Sequence, residues 1–123
     1  MTAYAAVPNV YRQSAVLTAT PGQLVVMLYD GAHRFLSQAA VAMREGQLAV
    51  SGEKLRRAEA IIDELLATLD LSAGEIALRL QALYAFFKDH LSQARLDRDP
   101  GKVEEVAAFM HDLRDSWAQI AGA

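Results

Sequence analysis

Three histidines, His33, His90 and His111, are the side chains of this sequence best suited to do chemistry, and none has the company that catalysis or metal binding requires. A zinc hydrolase would show the order His-Glu-x-x-His on one helix face, and that order is absent. A di-iron bundle needs paired Glu-x-x-His motifs, whereas the nearest spacing here is a single Asp30-x-x-His33. Gly101-Lys102 lacks the rest of a phosphate-cradling loop. The adjacent acids Asp63-Glu64 and Glu104-Glu105 point about 100° apart on a helix, so neither pair converges on one substrate as acid and base. With no cysteine in the chain, thiolate nucleophiles, disulfides and sulfur-based metal sites are excluded too. These residues indicate no convergent catalytic pair, no metal site and no cofactor.

The elements that carry these side chains are helices. The chain has 123 residues, 53% of them hydrophobic, enough for one core and far from a disordered composition. The net charge is -3 and the basic residues are scattered except for Lys54, Arg56 and Arg57, which read as a solvated helix face, so no nucleic-acid partner is expected. The first twenty residues show no basic-then-apolar leader, and no later run reaches about 18 uninterrupted apolar residues, which predicts a cytoplasmic protein without membrane insertion.

Four helical segments follow residue 20, and no β-alternation competes with them. Thr20 as N-cap and Pro21 at the first helical position open a helix predicted to run to about Glu45. The stretch Gly46 to Gly52 interrupts the pattern. After Ser51 a second helix carries Leu55, Ala58, Ile62, Leu65, Leu66 and Leu69 and stops near Asp70. Ser72 and Glu75 have capping-box spacing for a third helix, whose core line is Ile76, Leu80, Leu83, Phe87 and Leu91. Polar residues Arg95 to Asp99 end it, and Asp99-Pro100 opens a fourth bearing Val103, Val106, Met110, Leu113 and Trp117. The expectation is an all-α, antiparallel up-down four-helix bundle, a single domain over 1-123, with a short N-terminal cap segment or helix over 1-19 and the bundle over 20-121.

The first helix has more apolar surface than one seam uses. Projection at about 100° per residue puts Leu24, Leu28, Phe35, Ala39 and Ala42 on one line and Val25, Tyr29, Leu36 and Met43 on a flank. Together with Met27 they cover about 200°, where a core-facing helix needs about 100°. In the third helix Tyr84, Phe86 and Phe87 diverge too far for one seam, and Leu78 lies farther round. We therefore expect partner contacts at Val25, Tyr29, Leu36, Met43, Leu78 and Tyr84. Val7, Val10 and Tyr11 share one face of a short N-terminal segment that needs tertiary support, and form a displaceable cap over the same surface. Leu24, Leu28, Phe35, Ile62, Leu65, Leu80, Leu83, Phe87, Val106, Met110, Leu113 and Trp117 are expected to be structural.

Two other readings compete. A four-helix bundle with His33 on a polar face resembles a histidine phosphotransfer domain in gross form. However, Arg34, Leu36 and Ser37 occupy the turn where such domains usually carry lysine and glycine. A homo-oligomeric helical structural protein is disfavoured by interruptions at Gly31, Gly46 and Gly74 and by sparse charge pairing, which leaves a monomer or weak dimer.

Tyr11 with Thr18-Ala19-Thr20-Pro21, then Gln23-Leu24 and Met27-Leu28-Tyr29-Asp30-Gly31-Ala32, closely resembles the flagellar secretion chaperone FliS family. The similarity continues through Ile61-Ile62-Asp63-Glu64-Leu65, Leu69-Asp70, Leu83-Tyr84, Leu91, Ala94, Glu105-Val106 and Asp115-Ser116-Trp117. Departures from the family pattern are Thr20, Gly22 and Arg79. The resemblance implies a cytoplasmic chaperone that binds the disordered C-terminal segment of flagellin, prevents premature polymerisation and assists type III flagellar export. It also implies contacts with flagellar export-apparatus components, and an N-terminal segment that covers part of the client surface.

Overall fold

Thr20 ends the extended entry to the first helix and starts its hydrogen-bond ladder. Its hydroxyl accepts from the Gln23 backbone N-H (3.2 Å) while the Gln23 side-chain carbonyl accepts from the Thr20 N-H (2.9 Å). This reciprocal cap satisfies two donors, and Pro21 occupies a position where none is needed. In the computed structural model, which describes residues 19–120, α1 spans Pro21–Arg44, α2 Leu48–Thr68, α3 Glu75–Asp97 and α4 Pro100–Ile120. One 3-10 turn, Leu71–Ala73, lies between α2 and α3. Val7, Val10 and Tyr11 fall outside the described residues.

Two predicted boundaries change. The turn between α1 and α2 needs only Glu45 to Gln47, because Gly46 at φ 75° lets the Gln47 N-H reach the Ala42 carbonyl (2.8 Å); Gly52 is helical. Ser72 does not cap α3. The Asp70 carboxylate is the stronger acceptor and takes both the Ser72 N-H (3.0 Å) and its hydroxyl, which holds the Asp70 carboxyl below its usual pKa. The residue before α3 is Gly74, at φ 120°. Asp99 caps α4 as expected, accepting from the Gly101 N-H at 2.9 Å.

Rim contacts give the helix directions. Arg44 reaches Glu104 and Arg114 reaches Asp30, so α1 and α4 run antiparallel. Lys88 with Asp63 and Arg95 with Glu59 do the same for α3 and α2, and His90 near Glu105 with Lys102 bonded to Gln93 for α3 and α4. Such exposed pairs fix register more than they stabilise. The result is an all-α, antiparallel four-helix bundle. The helix α1 packs closely on both α2 and α4, while α3 leans more loosely on those same two.

The core overturns the division expected within α1. Tyr29, Leu36 and Met43 are in the core, with Leu36 0% exposed, alongside Ala32, Ala39 and Ala40. Leu24, Leu28 and Phe35 are only half-buried. Ala39 and Ala42 of the expected core line are buried; the reason the larger members are not is geometric, since a helix that touches two neighbours and faces a third buries the centre of its apolar arc, and Leu24, Leu28 and Phe35 lie on its margin. Small residues mark the close approach to α2, where a Cβ on Gly31 would stand 3.1 Å from Ile61 Cδ1. In α3, Ile76 is 75% exposed, and the buried set is Ala77, Tyr84, Phe87, Leu91 and Ala94.

Candidate functional site

Several partly buried apolar side chains, with exposed Ile76, gather at one end of the bundle. There the first two turns of α1, the end of α2, the start of α3 and the end of α4 splay around a groove of about 400 Å³. Its walls are Leu24, Val25 and Leu28 from α1, Leu69 from α2, Ile76 and Leu80 from α3, and Trp117 from α4. Buried Leu65, Ala77 and Tyr84 form the floor, with Thr68 and Asp70 at the edge.

Local sequence explains the opening. After Thr68 the chain needs Leu69, Asp70, the 3-10 turn and Gly74 before α3 begins, a longer connection than the others. At the floor, the Tyr29 and Tyr84 hydroxyls hydrogen-bond to each other across the diagonal from α1 to α3. Burial pushes both phenols above their ordinary pKa, and for Tyr84 the bond to Tyr29 adds to the rise. Both hydroxyls therefore stay protonated at neutral pH, and the groove presents apolar surface rather than acid or base.

Of the expected partner residues, the groove brings together Val25 and Tyr84, the latter only as buried floor. Tyr29, Leu36 and Met43 are withdrawn into the core. Leu78 is 52% exposed but does not line the groove. Leu24, Leu28, Leu69, Ile76, Leu80 and Trp117 were expected to be core or carried no expectation of contact. Their signal was position along the helix, near the bundle end, rather than angle around it.

His33 is half-buried, and its Nδ1-H donates to the Ala107 carbonyl at 3.0 Å, with the His111 ring 5.4 Å away. It ties α1 to α4 and is not offered on an open face. No group of three or more His, Cys, Asp or Glu that could hold a metal occurs among the described residues. No helix among them is long and apolar enough to cross a membrane. Arg79, a departure from the family pattern, pairs with Glu75 on the exposed side of α3 at 3.0 Å.

A largely apolar groove with a single carboxylate, Asp70, at its edge suits capture of a polypeptide, and sequence comparison says of what lineage. The family described as Flagellar protein FliS matches residues 3–123. The chain belongs to the FliS family. Its relatives include the flagellar secretion chaperones FliS of Salmonella typhimurium, 40% identical over 111 residues (89% of this chain, 82% of the relative), and of Bacillus subtilis, 38% identical over 109 residues (89% and 81%). The flagellar secretion chaperone FliSB of Pseudomonas aeruginosa is 30% identical over 110 residues (89% and 87%). FliS is a family of flagellar export chaperones and not of enzymes, and this member acts in that capacity.

Proposed function

We propose that the client is flagellin, and that its disordered C-terminal segment docks in the end groove of this FliS protein in the cytoplasm. Docking there keeps the subunit from polymerising prematurely and suitable for type III export. The observation that supports this reading is the open apolar groove itself, lined by half-exposed Leu24, Val25, Leu28 and Leu80 in a member of an export-chaperone family. A segment that folds on binding gives up about 2 to 5 kcal/mol of gross interaction in ordering. Burying one large apolar side chain returns about 1.5 to 3 kcal/mol, so a few anchors offset it. The segment bearing Val7, Val10 and Tyr11 joins the chain at the groove mouth, next to Pro21, and acts as a displaceable cover. Contacts with export-apparatus components belong to the same proposal.

Calorimetry with the C-terminal segment of the host's flagellin tests it. Binding by the native protein and its loss in Leu80→Asp, with helicity retained, are expected; no binding by well-folded protein would sink the reading. Deleting residues 1-15 tightens binding if the segment competes with the client, and weakens it if the segment clamps the client.

A further inference from the structure

Three cations of this acidic protein converge on one aromatic ring far from the end groove. The guanidinium of Arg34 lies 5.4 Å from the Phe35 centroid, Lys54 Nζ 5.7 Å and the guanidinium of Arg57 5.8 Å. The α2 members stand three residues apart, on one helix face, turned towards α1. Because all three are within 5.8 Å of one point, no two are separated by more than about twice that, close to the Debye length of roughly 10 Å at 0.1 M salt. Their fields therefore add.

Four arginines elsewhere are paired, while Arg56 and Arg98 have no ion pair among the described residues. Arg44, Arg79, Arg95 and Arg114 each have a carboxylate within 3.0 Å. Around Phe35, among the described residues, the one ion pair is Arg57 with Glu53, at 3.7 Å, and Arg34 and Lys54 have none. Residues 1–18 contain no Asp or Glu, so that segment brings no carboxylate side chain to the cluster. Lys54 also closes a shallow groove of about 340 Å³ between α1 and α2, where Val41 and Val50 are 56% and 45% exposed. Positive charge at Lys54 thus borders a groove in which Val41, Ala42 and Val50 lie among polar side chains and one carboxylate, Glu45.

We propose that this face docks an acidic amphipathic segment of a second protein, its aliphatic side chains on Val41 and Val50 and its carboxylates among Arg34, Lys54 and Arg57. A carboxylate entering between the three cations is attracted by all of them and competes only with the long, exposed Arg57–Glu53 pair. The site is separate from the end groove, so both can be filled at once, and it does not depend on which client that groove takes.

The test uses the full chain, labelled with nitrogen-15, and a 14-residue helical peptide with Leu at every third or fourth position and Glu between, against the same peptide with Gln for Glu. Amide shifts at Phe35, Val41, Val50, Lys54 and Arg57 are expected. Affinity should fall roughly tenfold for the Gln peptide, and likewise in Lys54→Glu/Arg57→Glu, for which an unchanged thermal midpoint is expected. Equal affinity of the two peptides, shifts confined to the end groove, or the same shifts from citrate alone would each overturn the proposal. So would light scattering that shows a peptide-independent dimer lost in the double variant, which would make the occupant a second copy.

Discussion

Val25 and Met43 lie on one stripe of α1, about five turns apart, and Ile76 and Ala94 do the same on α3. Within each pair the burial differs. Met43 is 8% exposed while Val25 is half-buried; Ala94 is fully buried while Ile76 is 75% exposed. Both buried members are at the end where short turns, Glu45 to Gln47 and Arg98 to Asp99, draw the helices together. Both open members are at the end where Leu69 to Gly74 separate α2 from α3. Core and groove in this bundle are thus two ends of the same apolar stripes, and not two faces of a helix. An open apolar groove arises here without a dedicated motif, because packing that is tight at one end is left incomplete at the other.

The sharpest way to break this comparison is to place a charge on each end of one stripe. Leu36→Asp leaves an unpaired carboxylate in the core and should cost about 3 to 5 kcal/mol, a large part of total stability, so urea unfolding should show a midpoint near zero or no folded baseline. Val25→Asp should keep the circular-dichroism spectrum of the native protein and lose client binding. A folded Leu36→Asp would show that the closed end is not closed.

The tyrosine pair, at the boundary between the two ends, comes next. Tyr84→Phe strands the buried Tyr29 hydroxyl and should cost about 1 to 3 kcal/mol, and adding Tyr29→Phe should recover part of that. Because folding raises both phenol pKa values above 10.0, the folded state holds these protons more tightly than the unfolded chain. Stability from this source is complete below about pH 10 and falls as pH rises beyond it; the double phenylalanine variant should lose less stability between about pH 9 and about pH 11. Equal alkaline losses would mean the hydroxyls are hydrated.

Steric tests have smaller effects. Ala94→Leu overpacks the closed end and should cost about 1 to 3 kcal/mol, while Ile76→Ser at the same angle should stay within about 0.5 kcal/mol. Smallest is Ser51→Ala. The Ser51 hydroxyl is buried without a hydrogen-bond partner among the described residues, so its removal should leave the thermal midpoint unchanged or raise it.

Much of this was legible in the letters. Thr20-Pro21 and Asp99-Pro100 announced their helix starts through local hydrogen bonding, and the spacing of apolar residues gave the helical class. Ser72 misled because its neighbour Asp70, a better acceptor, holds the turn. Val25 and Leu36 were both expected on the partner surface; Val25 lines the groove whereas Leu36 is core, although both belong to one stripe. Periodicity reports the angle of a side chain and carries nothing about how far along the helix the neighbours extend.

The sequence by itself determined what is local or additive: helices and most of their caps, the lack of convergent catalytic groups, and membership of the FliS family through an ordered series of matching residues. Tertiary structure decided which part of a wide apolar arc is core, where the bundle opens, and that Arg34, Lys54 and Arg57 meet over Phe35 from two helices. These depend on the distance between elements remote in sequence. That distance is set by connection length and by small residues such as Gly31, whose consequence appears only when Ile61 lies against it.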